Sequence, residues 1–257
     1  MEQTLHNIFD SHAHYDAGHF KKDRDALLSG LPARGVSYVM NAATDLASAR
    51  ASVAMAEKYD FIYCCVGFHP HEAAKAHTGF TEKLRLLAAH PKVRAIGEIG
   101  LDYHYEFTAR TYQQEVFEKQ ILFANELDMP VIVHDREAHS DTLRLLKRYR
   151  PAGVMHCYSG SAEMAKELLD IGMYIGFAGV VTFKNARRAL DVLRVVPAER
   201  LLIETDCPYL APEPMRGHRC DSGMLSYTAE AIAKELGMRA QELVDITTRN
   251  ALKLFRI

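Results

Sequence analysis

The sequence predicts an α/β protein with a (β/α)8 or TIM barrel fold, in which residues 1–257 form a single domain. Three observations favour this fold. Eight short apolar runs alternate with stretches of helical periodicity, the length suits one such barrel, and most runs end in a polar residue or glycine. A doubly wound open sheet is the alternative, but it more often has five or six strands and a glycine-rich turn after the first. Residues 10–14 read DSHAH at that place instead.

The elements follow one another in a regular order. Turn or breaker residues such as Gly35, Pro91, Pro130 and Pro197 precede several of the apolar runs. The predicted strands are 7–10, 37–41, 61–67, 93–98, 129–134, 153–156, 173–177 and 201–205. The predicted helices are 23–31, 46–59, 81–89, 111–127, 140–149, 162–171, 185–196, 227–236 and 240–255.

The composition is that of an ordinary globular protein, with 48% hydrophobic and 25% charged residues. The formal net charge of -2 argues against a broad basic surface that coats duplex DNA. A nucleic-acid end could still be held in a local pocket where bound cations supply the positive charge. We expect no obligate protein partner from these totals.

Cysteine usage and the opening residues indicate a cytoplasmic location. The chain has five cysteines, an odd number without CxxC spacing, so neither a disulfide framework nor a structural zinc site is predicted. Free thiols fit a reducing compartment. The first six residues lack a basic region followed by an apolar one, which predicts no signal peptide. No stretch is long and apolar enough to predict a membrane span.

Potential metal ligands follow the predicted strands, and the C-terminal strand ends are where barrels place their active sites. Side chains alternate along a strand, so His12 and His14 should point the same way. Five of the eight strand ends supply such a residue. The candidate ligands are His12, His14, Glu98, His134, His156 and Asp206. For each residue taken alone, the alternative is a hydrogen-bonded or solvated side chain, but their arrival at one rim favours a metal site.

This set is sufficient for two divalent ions. We assign His12, His14 and Asp206 to one ion, and His134 and His156 to the other. Glu98 is expected to bridge the two, and Asp206 is also placed to accept the proton of an attacking water. Carboxylate and water ligands fit Mg or Mn, whereas four imidazoles suit Zn or Ni equally well.

Several further residues have two readings each. His69 precedes Pro70 on a predicted loop and either binds a phosphate or holds that loop. Arg136 either binds a phosphate or pairs with a neighbouring carboxylate, Glu137 or Asp102. Tyr103 and Tyr105 could stack on bases, although packing is the commoner role. Three basic residues follow the seventh strand, where barrels often bind phosphate, but a solvated helix face is favoured for most of them: Lys184, Arg187 and Arg188.

Six motifs in order resemble the TatD family of metal-dependent deoxyribonucleases, within the amidohydrolase superfamily. The resemblance covers essentially the whole chain. It implies a barrel, divalent metal at the rim with the ligand roles given above, and hydrolysis of phosphodiester bonds, often from the 3′ end of single-stranded DNA. The motifs are DSHAH at 10–14, GFHP at 67–70, GEIGLD at 97–102, HDR at 134–136, HCYSG at 156–160 and ETDCPYLAP at 204–212.

Two features refine this resemblance. Glu98 stands where much of the superfamily has a carboxylated lysine, which fits the TatD branch. The family usually continues with an Asn-Glu-Pro segment after Arg216 and Gly217, whereas residues 220–222 here read CDS. We expect this departure to leave the metal ligands intact and to bear on substrate preference.

The leading hypothesis is therefore a barrel hydrolase that cleaves phosphodiester bonds of DNA, as a 3′-5′ exonuclease on single strands, by a water activated between two metals. Single-stranded DNA or another phosphoester is the expected partner. A two-metal hydrolase of an amide, ester or small phosphoester is the main alternative. A non-catalytic barrel kept as a binding protein is the third, and the complete ligand set argues against it.

Overall fold

The computed structural model describes residues 5–105 and 107–257, so the interpretation of the opening residues falls largely outside the described residues. Within these ranges, eight strands form one parallel sheet whose order follows the chain. They are β1 (Ile8–Ala13), β2 (Val36–Ala42), β3 (Ile62–Val66), β4 (Val93–Asp102), β5 (Val131–Arg136), β6 (Gly153–Met155), β7 (Tyr174–Phe177) and β8 (Leu201–Ile203).

The sheet closes on itself where residues just beyond β8 meet β1. The Asp206 amide donates to the His12 carbonyl at 2.9 Å, and the His14 amide donates to the Cys207 carbonyl at 2.8 Å. Closure leaves the barrel without an exposed sheet edge. The predicted (β/α)8 barrel is confirmed.

Helices alternate with the strands along the described chain and cover the outside of the barrel. They are α1 (Arg24–Gly30), α2 (Leu46–Lys58), α3 (Phe80–Ala88), α4 (Arg110–Glu126), α5 (His139–Tyr149), α6 (Ala162–Asp170), α7 (Arg187–Leu193), α8 (Leu225–Leu236) and α9 (Ala240–Phe255). No helix in this part of the chain is long and apolar enough to cross a membrane.

Three strands continue two or more residues beyond their predicted ends. β1 reaches Ala13, β4 reaches Asp102 and β5 reaches Arg136. β4 and β5 stay paired through Gly100 with His134 and Asp102 with Arg136. Backbone pairing does not depend on side-chain polarity, so the apolar pattern stops before the strand does. His12 consequently lies within β1 and not after it, and Glu98 and His134, the last residues of their predicted strands, lie inside β4 and β5.

The barrel interior is filled by one apolar cluster to which all eight strands contribute, and α9 closes its amino end. Phe9 from β1, Ile132 from β5 and Leu202 from β8 belong to this cluster, together with Phe255 from α9. The rings of Phe9 and Phe255 lie 5.9 Å apart. Because α9 covers one end, access to the interior is left at the carboxyl ends of the strands.

Gly100 allows β4 and β5 to approach closely at that open end. Its φ is +146°, and a Cβ at this position would lie 1.9 Å from the His134 carbonyl oxygen. Any other residue would force the two strands apart. The approach brings side chains from β4 and β5 into direct contact.

Candidate metal centre

A cavity of about 1020 Å³ opens at the carboxyl ends of the strands. Five of the six predicted ligands line it: His14, Glu98, His134, His156 and Asp206. The sixth, His12, is fully buried beneath them, with its ring stacked on that of His156 at 3.7 Å between centroids. The closed barrel thus brings together side chains that lie up to 194 residues apart in the chain, because it gathers the ends of β1, β4, β5, β6 and β8 at one rim.

Glu98 lies at the centre of the cluster, and its side chain is 3% exposed. Its Oε2 faces the Nε2 atoms of His12 at 3.3 Å and His14 at 3.4 Å. Its Oε1 faces His134 Nδ1 at 3.1 Å and His156 Nε2 at 3.4 Å. Each carboxylate oxygen therefore meets its own pair of imidazoles.

The pair from β1 is completed by Asp206. Asp206 Oδ1 lies 3.3 Å from His14 Nε2 and 3.8 Å from His12 Nε2, and these two nitrogens are 3.1 Å apart. Asp206 follows β8 with a φ of 58°, a left-handed conformation that aspartate tolerates better than most residues. No helix begins at Asp206, so its carboxylate does not act as a helix cap.

Three of the imidazoles are oriented by a hydrogen bond from their other ring nitrogen. His14 Nδ1 donates to the Ala42 carbonyl at 2.8 Å. On the opposite side, two carboxylates accept instead: Asp102 from His134 Nε2 at 3.0 Å, and Glu204 from His156 Nδ1 at 3.1 Å. When neutral, each of these rings therefore turns an unprotonated nitrogen toward Glu98.

His12 differs from the other three. Its buried Nδ1 has no hydrogen-bond partner among the described residues. Burial, the largest influence, lowers its pKa, so the ring is held neutral. A neutral ring is the form that coordinates a metal.

The carboxylates of the cluster favour protonation of two imidazoles, His14 and His134, at positions that cations could occupy. Burial lowers the pKa of His14, but the hydrogen bond to Asp206 and the charge of Glu98 outweigh it and raise the pKa to about 10. Burial likewise lowers the pKa of His134, yet bonds to Asp102 and Glu98 raise it to about 9. Burial raises the pKa of Glu98, but the surrounding imidazoles hold it well below its usual range.

The donor set fits divalent metal ions. Ligands bound to one ion at roughly 2.0–2.2 Å lie roughly 3–4 Å from one another. The separations around Glu98 Oε2 run from 3.1 Å, between His12 and His14, to 3.8 Å, between His12 and Asp206. Two ring nitrogens that face each other at 3.1 Å need a proton or a cation between them, and the carboxylates supply the compensating charge.

The structure arranges the ligands partly as we assigned them. His12, His14 and Asp206 form one group that could hold an ion, as assigned. The second assigned pair is divided: His156 groups with His12 and Glu98, whereas His134 groups with His69 and Glu98. His69 therefore lies closer to the cluster than its loop position indicated, with its Nε2 3.5 Å from Glu98 Oε1.

The side chain of His69 is oriented as a hydrogen-bond donor toward the cluster and not as a metal ligand. Its Nδ1 accepts the His71 amide at 3.1 Å, which assigns the proton of the neutral ring to Nε2. Burial lowers the pKa of His69 to about 4, so the ring is neutral at pH 7. The N–H of His69 thus points into the cluster, and its bond to the His71 amide fixes the turn after Phe68, as the second reading of this residue predicts.

Arg136 lies exposed on the cavity wall. Its guanidinium is 4.8 Å from the Tyr105 ring. The carboxylates proposed as its partners are engaged elsewhere, Glu137 with His104 and Asp102 with His71 and His134. Of the basic residues after β7, Arg188 lines the cavity.

The hydrogen bonds of Asp102 and Glu204 to the imidazoles were not predicted from the sequence, where Asp102 was considered only as a partner of Arg136, although both residues lie in the motifs quoted above. A signal was present, because each carboxylate stands at a strand end within a few residues of a predicted ligand. This position alone did not allow a prediction, because the order of residues does not indicate which histidine each carboxylate will contact.

The unusual segment at 220–222 packs behind the cluster. Ser222 Oγ donates to Asp10 Oδ2 at 2.6 Å and contacts the Tyr15 hydroxyl at 2.7 Å. Asp10, fully buried, also accepts from the Thr205 hydroxyl at 2.6 Å and from its amide at 3.0 Å. Among the described residues, the lining of the cavity does not include this segment. It contributes to the support of β1 and β8.

Known proteins resemble this chain over nearly all of its length. The family model described as TatD related DNase matches residues 9–256. The metal-dependent hydrolase YabD of Bacillus subtilis, described as uncharacterized, is 41% identical over 253 residues, which cover 97% of this chain and 99% of YabD. A Citrobacter rodentium protein named 3′-5′ ssDNA/RNA exonuclease TatD is 35% identical, over 97% of this chain and 98% of its own length.

A solved structure agrees with these sequence matches. The crystal structure of the TatD homologue YJJV from Escherichia coli K12 superposes with a TM-score of 0.91 and 29% identity, covering 98% of each chain. The chain belongs to the TatD-related DNase family and is a metal-dependent hydrolase.

Proposed function

We propose that this chain hydrolyses phosphodiester bonds in single-stranded DNA, releasing nucleotides from the 3′ end with two divalent ions at the barrel rim. The Citrobacter rodentium relative is named a 3′-5′ ssDNA/RNA exonuclease, which supports single-stranded DNA as the substrate and the 3′ end as the starting point. We further propose that residues 1–257 act as one domain and, from the free thiols of all five cysteines, that the protein works in the cytoplasm.

The observation that carries the proposal is the position of Glu98. Its two oxygens face two different sets of imidazole nitrogens, at 3.1–3.4 Å. This is the arrangement expected of a carboxylate that bridges two ions. A structural salt bridge needs one imidazole partner, so it would not explain why four imidazoles surround Glu98 in the interior.

The residues that would hold the ions are the six predicted ones. His12, His14 and Asp206 would bind one ion, and Glu98 would bind both. His134 and His156 fall into different candidate groups, but their ring nitrogens face the same oxygen, Glu98 Oε1, and we propose that they bind the other ion. Such ions would polarise the phosphoryl oxygens and make water a stronger nucleophile. Mg or Mn suits the carboxylates and the open cavity, while the imidazoles also permit Zn or Ni.

Asp206 is the proposed proton acceptor. Burial raises the pKa of this carboxyl, but the bond to His14 and the charges of the imidazoles outweigh it and keep the pKa below its usual value. The carboxylate is therefore ionised, and its side chain is 17% exposed at the floor of the cavity. An ionised oxygen at this place can orient an attacking water and take its proton.

His69 and Arg136 are the proposed substrate-binding groups. The Nε2–H of His69 can donate to a phosphoryl oxygen that approaches Glu98 from the cavity. Arg136 carries a permanent charge on the cavity wall, and its fork of N–H groups suits a phosphate further along the strand. Removal of either group should weaken substrate binding while the ligand set stays intact.

The test is nucleotide release from an end-labelled single-stranded oligonucleotide, with Mg or Mn, by the natural protein and by Asp206→Asn. Metal-dependent release that begins at the 3′ end and is lost in the variant is the expected result. A protein that binds two ions but leaves every strand intact would refute the nuclease proposal. Amides, esters and small phosphoesters would then be the substrates to screen.

A further inference from the structure

Large apolar side chains are concentrated at the mouth of the cavity. Of the six large hydrophobic residues that are exposed within the described chain, three line this cavity: Tyr105 at 49%, Phe107 at 67% and Tyr209 at 52% exposure. Scattered exposed apolar residues are ordinary on a protein surface, but a group of aromatic rings around a polar pocket marks a binding site.

Tyr105 and Phe107 form an exposed aromatic surface in which one ring stacks on the other with an offset. Their rings are parallel to within 4°, with centroids 5.6 Å apart. The guanidinium of Arg136 lies 4.8 Å from the Tyr105 centroid. Two parallel aromatic rings and a stacked arginine are the groups on which nucleobases stack, since every base offers a π-face.

One imidazole connects this surface to the candidate metal centre. The His71 ring meets the edge of Tyr105 at 5.4 Å and of Phe107 at 4.9 Å, and lies 6.2 Å from the His134 ring. His71 Nε2 is fixed by Asp102 at 2.8 Å. Asp102 thus positions both His134 and the ring beneath the aromatic surface. His71 thus lies between the aromatic rings and the ligand His134, which places these rings beside the candidate metal centre.

We infer that Tyr105, Phe107 and Arg136 form a stacking platform for an unpaired base of the nucleotide whose phosphodiester lies at the metal centre. This inference rests on the proposed function and specifies its substrate. A base in a duplex is already stacked and paired, so it cannot lie on the platform without being unpaired. The platform therefore selects single strands or frayed ends, and it accepts any of the bases.

The test compares two oligonucleotides that differ only in the 3′-terminal nucleotide, which carries either a base or an abasic tetrahydrofuran. For the natural protein we expect the KM to be about tenfold higher for the abasic strand, as expected for the loss of one stacked base. In Phe107→Leu, which keeps the apolar side chain but removes the ring, this ratio should fall toward one. Phe107→Tyr should restore it.

A matched control is Leu86→Ala, which removes an apolar side chain that is 80% exposed on α3 and does not line the cavity. It should keep the ratio of the natural protein. A ratio near one in the natural protein, or an equal ratio in Phe107→Leu, would overturn the platform while leaving the nuclease proposal standing.

A binding readout separates this inference from the proposed function. An oligonucleotide with 2-aminopurine at its 3′ end loses fluorescence when that base stacks on an aromatic ring. Quenching by the natural protein and by Phe107→Tyr, but not by Phe107→Leu, would support the platform even if no strand were cleaved. Absence of quenching with the natural protein would overturn it.

Discussion

The two sides of Glu98 hold their imidazoles in different ways. On the β1–β8 side, His14 is fixed by the neutral carbonyl of Ala42, and the buried Nδ1 of His12 has no partner among the described residues. The carboxylate on this side belongs to Asp206, and it lies within the cluster, 3.3 Å from His14 Nε2, and not behind an imidazole.

On the β5–β6 side, the negative charge stands behind the imidazoles. Asp102 backs His134 at 3.0 Å and Glu204 backs His156 at 3.1 Å. A carboxylate behind an imidazole raises its basicity and strengthens its bond to a metal. Beyond the shared Glu98, one side therefore has a single carboxylate within the cluster and the other has two behind its imidazoles, so substitutions should separate the two proposed ion positions.

Removal of the bridge should have the largest effect, because both sides share it. Glu98→Ala should lose metal at both positions, and turnover should fall by about a thousandfold or more. His134→Ala should lose turnover with metal lost mainly on the β5–β6 side. Metal content and nucleotide release measure these effects, circular dichroism verifies the fold, and Glu82→Gln on α3 serves as the control. Full activity in either alanine variant would rule out this site.

Removal of a backing carboxylate should affect one side only. Asp102→Asn or Glu204→Gln should weaken metal binding by about 10- to 100-fold at the β5–β6 position. The β1–β8 position should keep its affinity, since neither carboxylate contacts His12 or His14. A two-site calorimetric titration measures both constants, and Asp141→Asn, whose carboxylate accepts from the Tyr103 hydroxyl, is the control. Equal weakening at both positions would contradict the division into two sides.

Metal affinity should rise with pH on both sides. His14, with a pKa of about 10, and His134, with a pKa of about 9, hold protons at pH 7 that an ion must displace. Affinity should therefore increase by about tenfold per pH unit for each displaced proton, levelling off near pH 9 on the β5–β6 side and near pH 10 on the β1–β8 side. Calorimetry in buffers of different ionisation enthalpy counts the protons released. A pH-independent affinity would refute this exchange.

The smallest effect should come from the support behind β1 and β8. Asp10 accepts from the amides of His12 at 3.3 Å and Thr205 at 3.0 Å, so this carboxylate holds backbone and not imidazoles. Ser222→Ala removes a buried donor to Asp10 and should lower the free energy of unfolding by about 1–3 kcal/mol, with metal affinity little changed.

Urea denaturation measures that loss of stability. The exposed Ser140→Ala on α5 should change the free energy of unfolding by less than about 0.5 kcal/mol. If Ser222→Ala instead weakened metal binding as strongly as Asp102→Asn, then the segment at 220–222 would belong to the site and not to its support.

The barrel and the identity of the candidate ligands could be predicted from patterns along the chain. Strand and helix periods are local, so the alternation of eight apolar runs with helical stretches predicts the fold, and α9 even matches its predicted bounds of 240–255. The rule that strand ends share one rim then brings distant residues such as His12 and Asp206 to one place. Helix and strand ends differed by a few residues elsewhere. At β4 and β5 the reason is that their pairing continues past the apolar pattern.

The contacts between these residues depend on how the barrel packs. The assignment of Asp102 to His134 and of Glu204 to His156 depends on rotamers and on strand register across the barrel, which no local pattern encodes. The proton position on His69 follows from a single hydrogen bond with the His71 amide. The exposed rings of Tyr105 and Phe107 could have packed inward, and closure of the barrel left them outside, at the mouth of the cavity. Ligand identity is a property of the chain, whereas orientation, charge balance and access are properties of the packed molecule.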